Sequence, residues 1–127
     1  MSERTVESYR DLKVWQAGME IGEHAYRLSR SFPKEELFGF TSQIRRASAS
    51  VPANIAEGYG RQSKGEYIQF LRIAQGSLKE LETHLMLAVR VGITTDEAIQ
   101  PLMAVCDAEG RMLQSLIKAL SSRTPQS

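Results

Sequence analysis

The fold is decided by residues 63–90, which read SKGEYIQFLRIAQGSLKELETHLMLAVR. Apolar residues recur here at alternating spacings of four and three, the repeat of a helix that packs along one stripe against its neighbours. The stripe consists of Tyr67, Leu71, Ala74, Leu78, Leu81, Leu85 and Ala88. Ser63 and Glu66 have the spacing of a capping box. The stretch therefore predicts one long helix, of roughly 42 Å, that begins just after Ser63.

The segments on either side predict three more helices. The first covers residues 11–31 and the second covers 37–58, both with apolar residues at helical spacing. The last covers 99–120, with a capping box expected at 94–97, and Pro101 leaves its start open. No segment shows the alternation of a strand. Four helices with short connections predict an all-α, antiparallel up-and-down four-helix bundle with a proline-kinked second helix.

Pro52 lies in the middle of the second helical pattern. A proline there removes one amide donor and crowds the carbonyl of Ser48, at a cost of ~3 kcal/mol in a straight helix, so we expect a kink. Asn54 is placed to bond backbone groups that a kink exposes, and Glu57 is placed to pair with Arg61 four residues later. We interpret Pro52, Asn54 and Glu57 as a structural signature.

The first helix carries two apolar stripes about 110° apart. One stripe consists of Leu12, Trp15, Met19, Gly22 and Tyr26, and the other of Val14, Gly18, Ile21, Ala25 and Leu28. A helix that is apolar on two faces must be covered twice, and the small residues of the second stripe would let another chain approach closely. We therefore expect the second stripe to form an oligomer interface. The alternative is a helix buried deeply within its own domain.

The charge of the chain is concentrated in its middle third. The formal net charge is +1, but residues 39–72 contain five basic and two acidic groups, a local charge of +3. The basic residues are Arg45, Arg46, Arg61, Lys64 and Arg72. They predict a surface that binds RNA or DNA through phosphate contacts, and the alternative is an ordinary solvated face.

The residues that usually perform catalysis do not come together in the pattern. Each histidine follows a glutamate by four, as Glu20 with His24 and Glu80 with His84. Both pairs are expected to point away from the apolar stripes, as surface ion pairs and not as metal ligands. Cys106 falls on an apolar face and is expected to be a buried thiol. The sequence thus predicts no catalytic residue, metal, cofactor or small-molecule substrate.

Length and composition favour one cytoplasmic domain. The 127 residues are 42% hydrophobic, which suits a single domain over 1–127 with an ordered core at about 9–121 and frayed termini. One cysteine cannot form an internal disulfide, and neither a secretory signal nor an apolar run of membrane-spanning length is present in the pattern.

Five ordered motifs carry a family resemblance. They are YRDLKVWQ (9–16), SFPKEE (31–36), TSQIRRA (41–47), VPANIAEGYG (51–60) and AQGSLKELET (74–83). Together they resemble the four-helix bundle proteins encoded in intervening sequences of bacterial 23S ribosomal RNA, over roughly residues 9–120. That family is also similar to the accessory protein of diversity-generating retroelements.

The resemblance implies a cytosolic homopentamer with no established enzymatic activity. It also implies contact with a reverse transcriptase and nucleic acid, as in the retroelement relative, with Arg45, Arg46 and Arg61 at the matching positions. The nearly neutral charge of this chain departs from that basic relative. We therefore expect a homo-oligomeric scaffold that binds RNA, DNA or a nucleic-acid-processing protein. The alternative is a purely structural protein-interaction module.

Overall fold

The computed structural model describes residues 5–122, which form four α-helices and contain no strand. The helices are α1 (Lys13–Ser29), α2 (Ser42–Tyr59), α3 (Lys64–Arg90) and α4 (Asp96–Ser122). Each helix packs against two others, α1 and α3 both lying between α2 and α4, which confirms the four-helix bundle. None of the helices in this range has the length and apolar composition needed to cross a membrane. The termini expected to be frayed, on either side of about 9–121, fall partly outside the described residues, at 1–4 and 123–127.

Short irregular turns join the helices. A 3-10 turn, Tyr9–Asp11, precedes α1. A second 3-10 turn (Lys34–Glu36) and a π turn (Leu37–Thr41) lead from α1 into α2. The second helical pattern therefore includes this π turn, and regular α-helix begins only at Ser42.

The stripe of α3 forms the centre of the core. Its members Leu71, Ala74, Leu78, Leu81, Leu85 and Ala88 are all buried, as the sequence predicts, and Tyr67 is half-buried. They face buried side chains of α2 and α4, namely Ile44, Ala47, Val51, Ile55, Ile99, Leu102, Cys106, Leu113 and Ile117. Each large aliphatic side chain in this set contributes about 1.5–3 kcal/mol through its burial.

The stripe of α1 that we expect to face another copy is covered by its own chain. Val14, Gly18, Ile21 and Ala25 are buried and Leu28 is half-buried, so the expectation of an oligomer interface there is wrong. The cause is the close approach of α2. A Cβ built on Gly18 would lie 3.2 Å from the Cβ of Pro52. The small residues therefore admit α2 and not a second copy, and the other stripe of α1 is left facing outward.

Polar contacts surround Pro52 inside α2. The Asn54 side chain donates to the backbone oxygen of Ser50 (2.8 Å) and to its hydroxyl (2.9 Å). The Ser50 hydroxyl also lies 2.7 Å from the hydroxyl of Ser77 on α3. These contacts connect the middle of α2 to α3. The kink at Pro52 stays a prediction.

Helix α4 begins one residue later than the capping pattern indicates. The Thr95 hydroxyl, and not that of Thr94, accepts a hydrogen bond from the Ala98 amide at 3.1 Å. Asp96 is the first helical residue, so Pro101 lies in the second turn of α4. Helix α3 begins as predicted, because Ser63 Oγ accepts from the Glu66 amide at 3.0 Å.

Candidate interaction surface

Helices α1 and α2 leave an open apolar groove between them, with a volume of about 370 Å³. The 3-10 turn and α1 contribute Tyr9, Trp15, Met19, Gly22 and Tyr26, and α2 contributes Ala49, Pro52, Ala53 and Ala56. None of these side chains is charged. Met19 is 43% exposed and Tyr26 is 44% exposed, so the groove presents apolar surface to solvent. We call it the α1–α2 groove.

The groove follows from how residue sizes are distributed on the two helices. The stripe of α1 that includes Trp15, Met19 and Tyr26 contributes large side chains, whereas α2 contributes alanines at spacings of four and three, Ala49, Ala53 and Ala56. At the contact of Gly18 with Pro52 the two backbones are close. Beside that contact the alanines are too short to fill the space that the large side chains enclose.

One end of the groove is formed by an aromatic pair. The rings of Tyr9 and Trp15 meet edge to face, with their centres 5.3 Å apart and their planes at 68°. The Gln16 side chain donates to the Arg10 carbonyl at 2.9 Å and so fixes the 3-10 turn against α1. The Arg10 guanidinium lies 5.5 Å from the centre of the Tyr9 ring.

At the other end of the α1–α2 groove, an arginine side chain again lies over a tyrosine ring. The Arg45 guanidinium lies 4.6 Å from the centre of the Tyr26 ring. Arg45 Nε donates to the hydroxyl of buried Ser29 at 2.8 Å, and that hydroxyl donates to the Tyr26 carbonyl at 3.2 Å. Arg45 therefore fastens α2 to α1, and a cation stands at each end of the groove.

The basic residues of the middle third do not form one surface. Arg45 contacts α1, whereas Arg46 contacts Gln43 and lies 3.9 Å from Glu80 of α3. Arg61 and Lys64 lie beyond the end of α2 at Tyr59, about 20 Å along the helix axis from Arg45, and Arg72 lies on α3.

These other three basic residues are themselves in different settings. Arg61 contacts Glu57 at 2.8 Å and covers the Phe70 ring at 4.8 Å. Lys64 is half-buried and Arg72 is exposed on α3. The structure therefore does not bring the five predicted residues together.

Among the candidate reactive groups, Cys106 is buried and His84 is paired, whereas the expected ion pair of Glu20 with His24 is absent from the described part of the chain. Burial is the main cause that raises the pKa of the Cys106 thiol to about 12, with smaller contributions from Glu82 and Glu109, so this thiol stays protonated. His84 lies 3.6 Å from Glu80, as the sequence predicts. Within residues 5–122 no group of three histidine, cysteine or acidic side chains is arranged to hold a metal ion.

Sequence reasoning missed one buried acid. Glu109 on α4 is fully buried, and neither oxygen of its carboxyl has a hydrogen-bond partner among the described residues. Burial and, less strongly, Glu20 on α1 together raise the pKa of Glu109 to about 8. The sequence does indicate that Glu109 is buried, because it lies three residues after Cys106 and four before Leu113, which is the spacing of the apolar stripe of α4. Gly110 also has the spacing of this stripe, so the pattern alone does not show which of the two residues faces the core.

Comparison with known proteins agrees with the geometry of the bundle. The chain superposes on the crystal structure of a protein of unknown function from the S23 ribosomal protein family of Bacteroides thetaiotaomicron VPI-5482, with a TM-score of 0.74 and 27% identity. The match covers 83% of this chain and 98% of that one. No curated protein matches significantly. The family model described as 23S rRNA-intervening sequence protein matches residues 10–115, and the chain therefore belongs to that family.

Proposed function

We propose that this protein is a non-enzymatic cytoplasmic scaffold that assembles with copies of itself, and that the α1–α2 groove of each copy is covered by a neighbour. The observation that carries the proposal is the groove itself, an uncharged apolar surface in which Met19 and Tyr26 are more than 40% exposed. Exposed apolar surface rimmed by polar groups marks a protein interface. The family resemblance supports five copies in the assembly.

The reactive groups of the chain support a role without catalysis. The Cys106 thiol is buried and protonated, and the Glu109 carboxyl is buried and neutral at pH 7. Neither can act as a nucleophile or a base toward a substrate outside the core. The groove itself contains no ionisable group apart from the phenols of Tyr9 and Tyr26.

Binding of RNA or DNA is the second candidate function, and it rests on Lys64 and Arg72. Neither side chain forms an ion pair or hydrogen bond in the described part of the chain, so both are available to phosphate. Binding of this kind weakens steeply as salt increases. A titration with structured RNA at two salt concentrations tests it, with the Lys64→Ala, Arg72→Ala double variant as the comparison. Binding that is absent at low salt, or equal in the two proteins, would exclude this function.

Light scattering tests the assembly. We expect a mass of about 71 kDa, five copies of the 14.2 kDa chain, and a monomer mass at micromolar concentration would refute the proposal. Met19→Glu places a charge in the groove and should give monomers with unchanged helicity. Met86→Glu is the matched control, because Met86 lies on α3 outside the groove and is 47% exposed. This control variant should keep the full mass.

A further inference from the structure

We propose that Phe38 of one copy inserts into the α1–α2 groove of the next, so that the assembly is built from head-to-tail contacts. This inference rests on the proposed function and names the contact that would perform it. Phe38 is 90% exposed, and no other large apolar side chain in the described residues is exposed by more than 57%. An isolated phenyl ring held almost entirely in water is unfavourable for a chain that stays alone.

The chain holds Phe38 in this position through the π turn Leu37–Thr41. Phe40 is half-buried and Thr41 is buried, so the turn is anchored on the C-terminal side of Phe38. On its N-terminal side the Glu36 carboxylate accepts a hydrogen bond from the Phe40 amide at 3.3 Å. A Cβ on Gly39 would lie 2.8 Å from that carboxylate and displace it. The turn is therefore built to present residue 38 outward.

The size and lining of the groove suit a phenyl ring. A cavity of roughly 150 Å³ lined by apolar side chains accommodates benzene, and the groove offers about 370 Å³. The aromatic rings of Tyr9, Trp15 and Tyr26 lie along it, and aromatic side chains favour edge-to-face or offset contact with another ring. Its open side and its row of alanines leave room for the turn that carries Phe38.

The charges beside the two surfaces are complementary. Arg10 and Arg45 stand at the ends of the groove, each on a tyrosine ring, and neither forms an ion pair within residues 5–122. Glu35 is exposed three residues before Phe38 and is also without an ion pair in that range. When Phe38 enters the groove, Glu35 approaches one of these arginines. Opposite charges at the rim of an interface fix its register and accelerate association.

The contact must join different copies. Phe38 does not line the groove of its own chain and is exposed to solvent there. A copy that inserts Phe38 into a neighbour still has an empty groove, and its neighbour still has a free Phe38. Such heterologous contacts repeat until the rotation closes a ring. A surface that met its own copy about a two-fold axis would stop at a dimer.

Two variants separate the two halves of the contact. Phe38→Ser removes the inserted ring and Met19→Glu disables the groove, and we expect each protein alone to be monomeric by light scattering. In an equimolar mixture the intact Phe38 of one variant can enter the intact groove of the other, so a heterodimer of two chains should form over a concentration series. Circular dichroism should show unchanged helicity, because Phe38 is exposed and Met19 is nearly half exposed.

Each outcome decides a different point. A monomeric wild-type protein would refute the proposed function itself. A wild-type assembly that persists with Phe38→Ser would overturn the role of Phe38 and leave the scaffold function standing. Two monomeric variants whose mixture also stays monomeric would overturn the head-to-tail arrangement. Met86→Glu, which changes neither surface, should retain the wild-type mass in parallel runs.

Discussion

The buried carboxyl of Glu109 makes the bundle less stable as the pH rises. Most acidic groups of folded proteins, whose pKa is lowered by folding, have the opposite effect. Its pKa is raised from 4.5 to about 8 by burial and, less strongly, by Glu20 on α1. Cys106, one turn away on α4, is also close to Glu109, and its thiol is protonated. At pH 7 the folded chain therefore holds a proton on Glu109 that the unfolded chain releases.

The magnitude follows from proton linkage. Because the pKa is higher in the folded state, the group costs nothing below pH 4.5, and stability is lost as the pH rises from about 4.5 to about 8. The shift of roughly 3.5 pKa units corresponds to about 5 kcal/mol in full, of which about 3 kcal/mol is already lost at pH 7. For a domain stabilised by about 5–15 kcal/mol this is a large effect.

Glu109→Gln tests this reasoning, since glutamine has nearly the same shape and does not titrate. Urea unfolding followed by circular dichroism, at constant protein concentration and from pH 4 to pH 9, measures the free energy of unfolding of both proteins. We expect the variant to gain about 4 kcal/mol relative to wild type between pH 4 and pH 8. The exposed Glu97→Gln serves as the control and should follow wild type. Parallel profiles for Glu109→Gln and wild type would refute a carboxyl held neutral in the core.

Two further substitutions test the packing of α1. Gly18→Ala brings a Cβ within 3.2 Å of Pro52, so we expect the free energy of unfolding in urea to fall by about 1–3 kcal/mol. Gly76→Ala is the control, because its Cβ meets nothing within 4 Å, and it should raise the free energy of unfolding by about 0.5–1 kcal/mol. A gain in both variants would show that α1 and α2 are not closely packed at Gly18. Ile21→Glu puts a carboxylate at a fully buried position, so we expect circular dichroism to show a loss of helicity. A variant that is folded but monomeric would instead support the oligomer interface first expected on that stripe.

The fold was predictable because the stripes of the core are periodic over long helices. Every position of the α3 stripe from Leu71 to Ala88 is apolar, and a repeat held over three heptads leaves little freedom in which face is buried. Short turns disturb this regularity. The π turn at Leu37–Thr41 keeps helical apolar spacing in the sequence, so the pattern could not separate it from α2.

The two faces of α1 show what periodicity leaves open. The sequence identifies two apolar stripes, but both are compatible with the core, and the choice depends on which helix lies opposite each one. Gly18 and Ala25 are small, which indicates close approach of a neighbour without indicating which neighbour. The contact of Gly18 with Pro52, 34 positions away in the sequence, decides it. Only the tertiary structure contains that information.

The dispersed arginines could have been foreseen from helix geometry. Adjacent residues of a helix point about 100° apart, so Arg45 and Arg46 cannot share one face. A local charge of +3 counts residues along the chain and does not give their directions. Glu109 shows the same limit in reverse, because the spacing of the α4 stripe fits both Glu109 and Gly110, and spacing alone does not say which of them is buried. Spacing arguments need every member of a stripe to be tested, including the polar ones.

The stretch around Pro52 joins the fold to the proposed interface. Gly18 packs against the buried Pro52, and this contact places the outer stripe of α1 beside α2. On the outer face of α2, the side chains of Ala49, Ala53 and Ala56 are too small to fill the space beside Trp15 and Met19. Larger residues at these three alanines would close the groove without touching the core. A sequence that needed only a stable bundle would gain apolar burial by filling that space. The alanines are therefore best explained by an occupant from outside the chain, and Phe38 of a neighbouring copy has the size and the exposure to be that occupant.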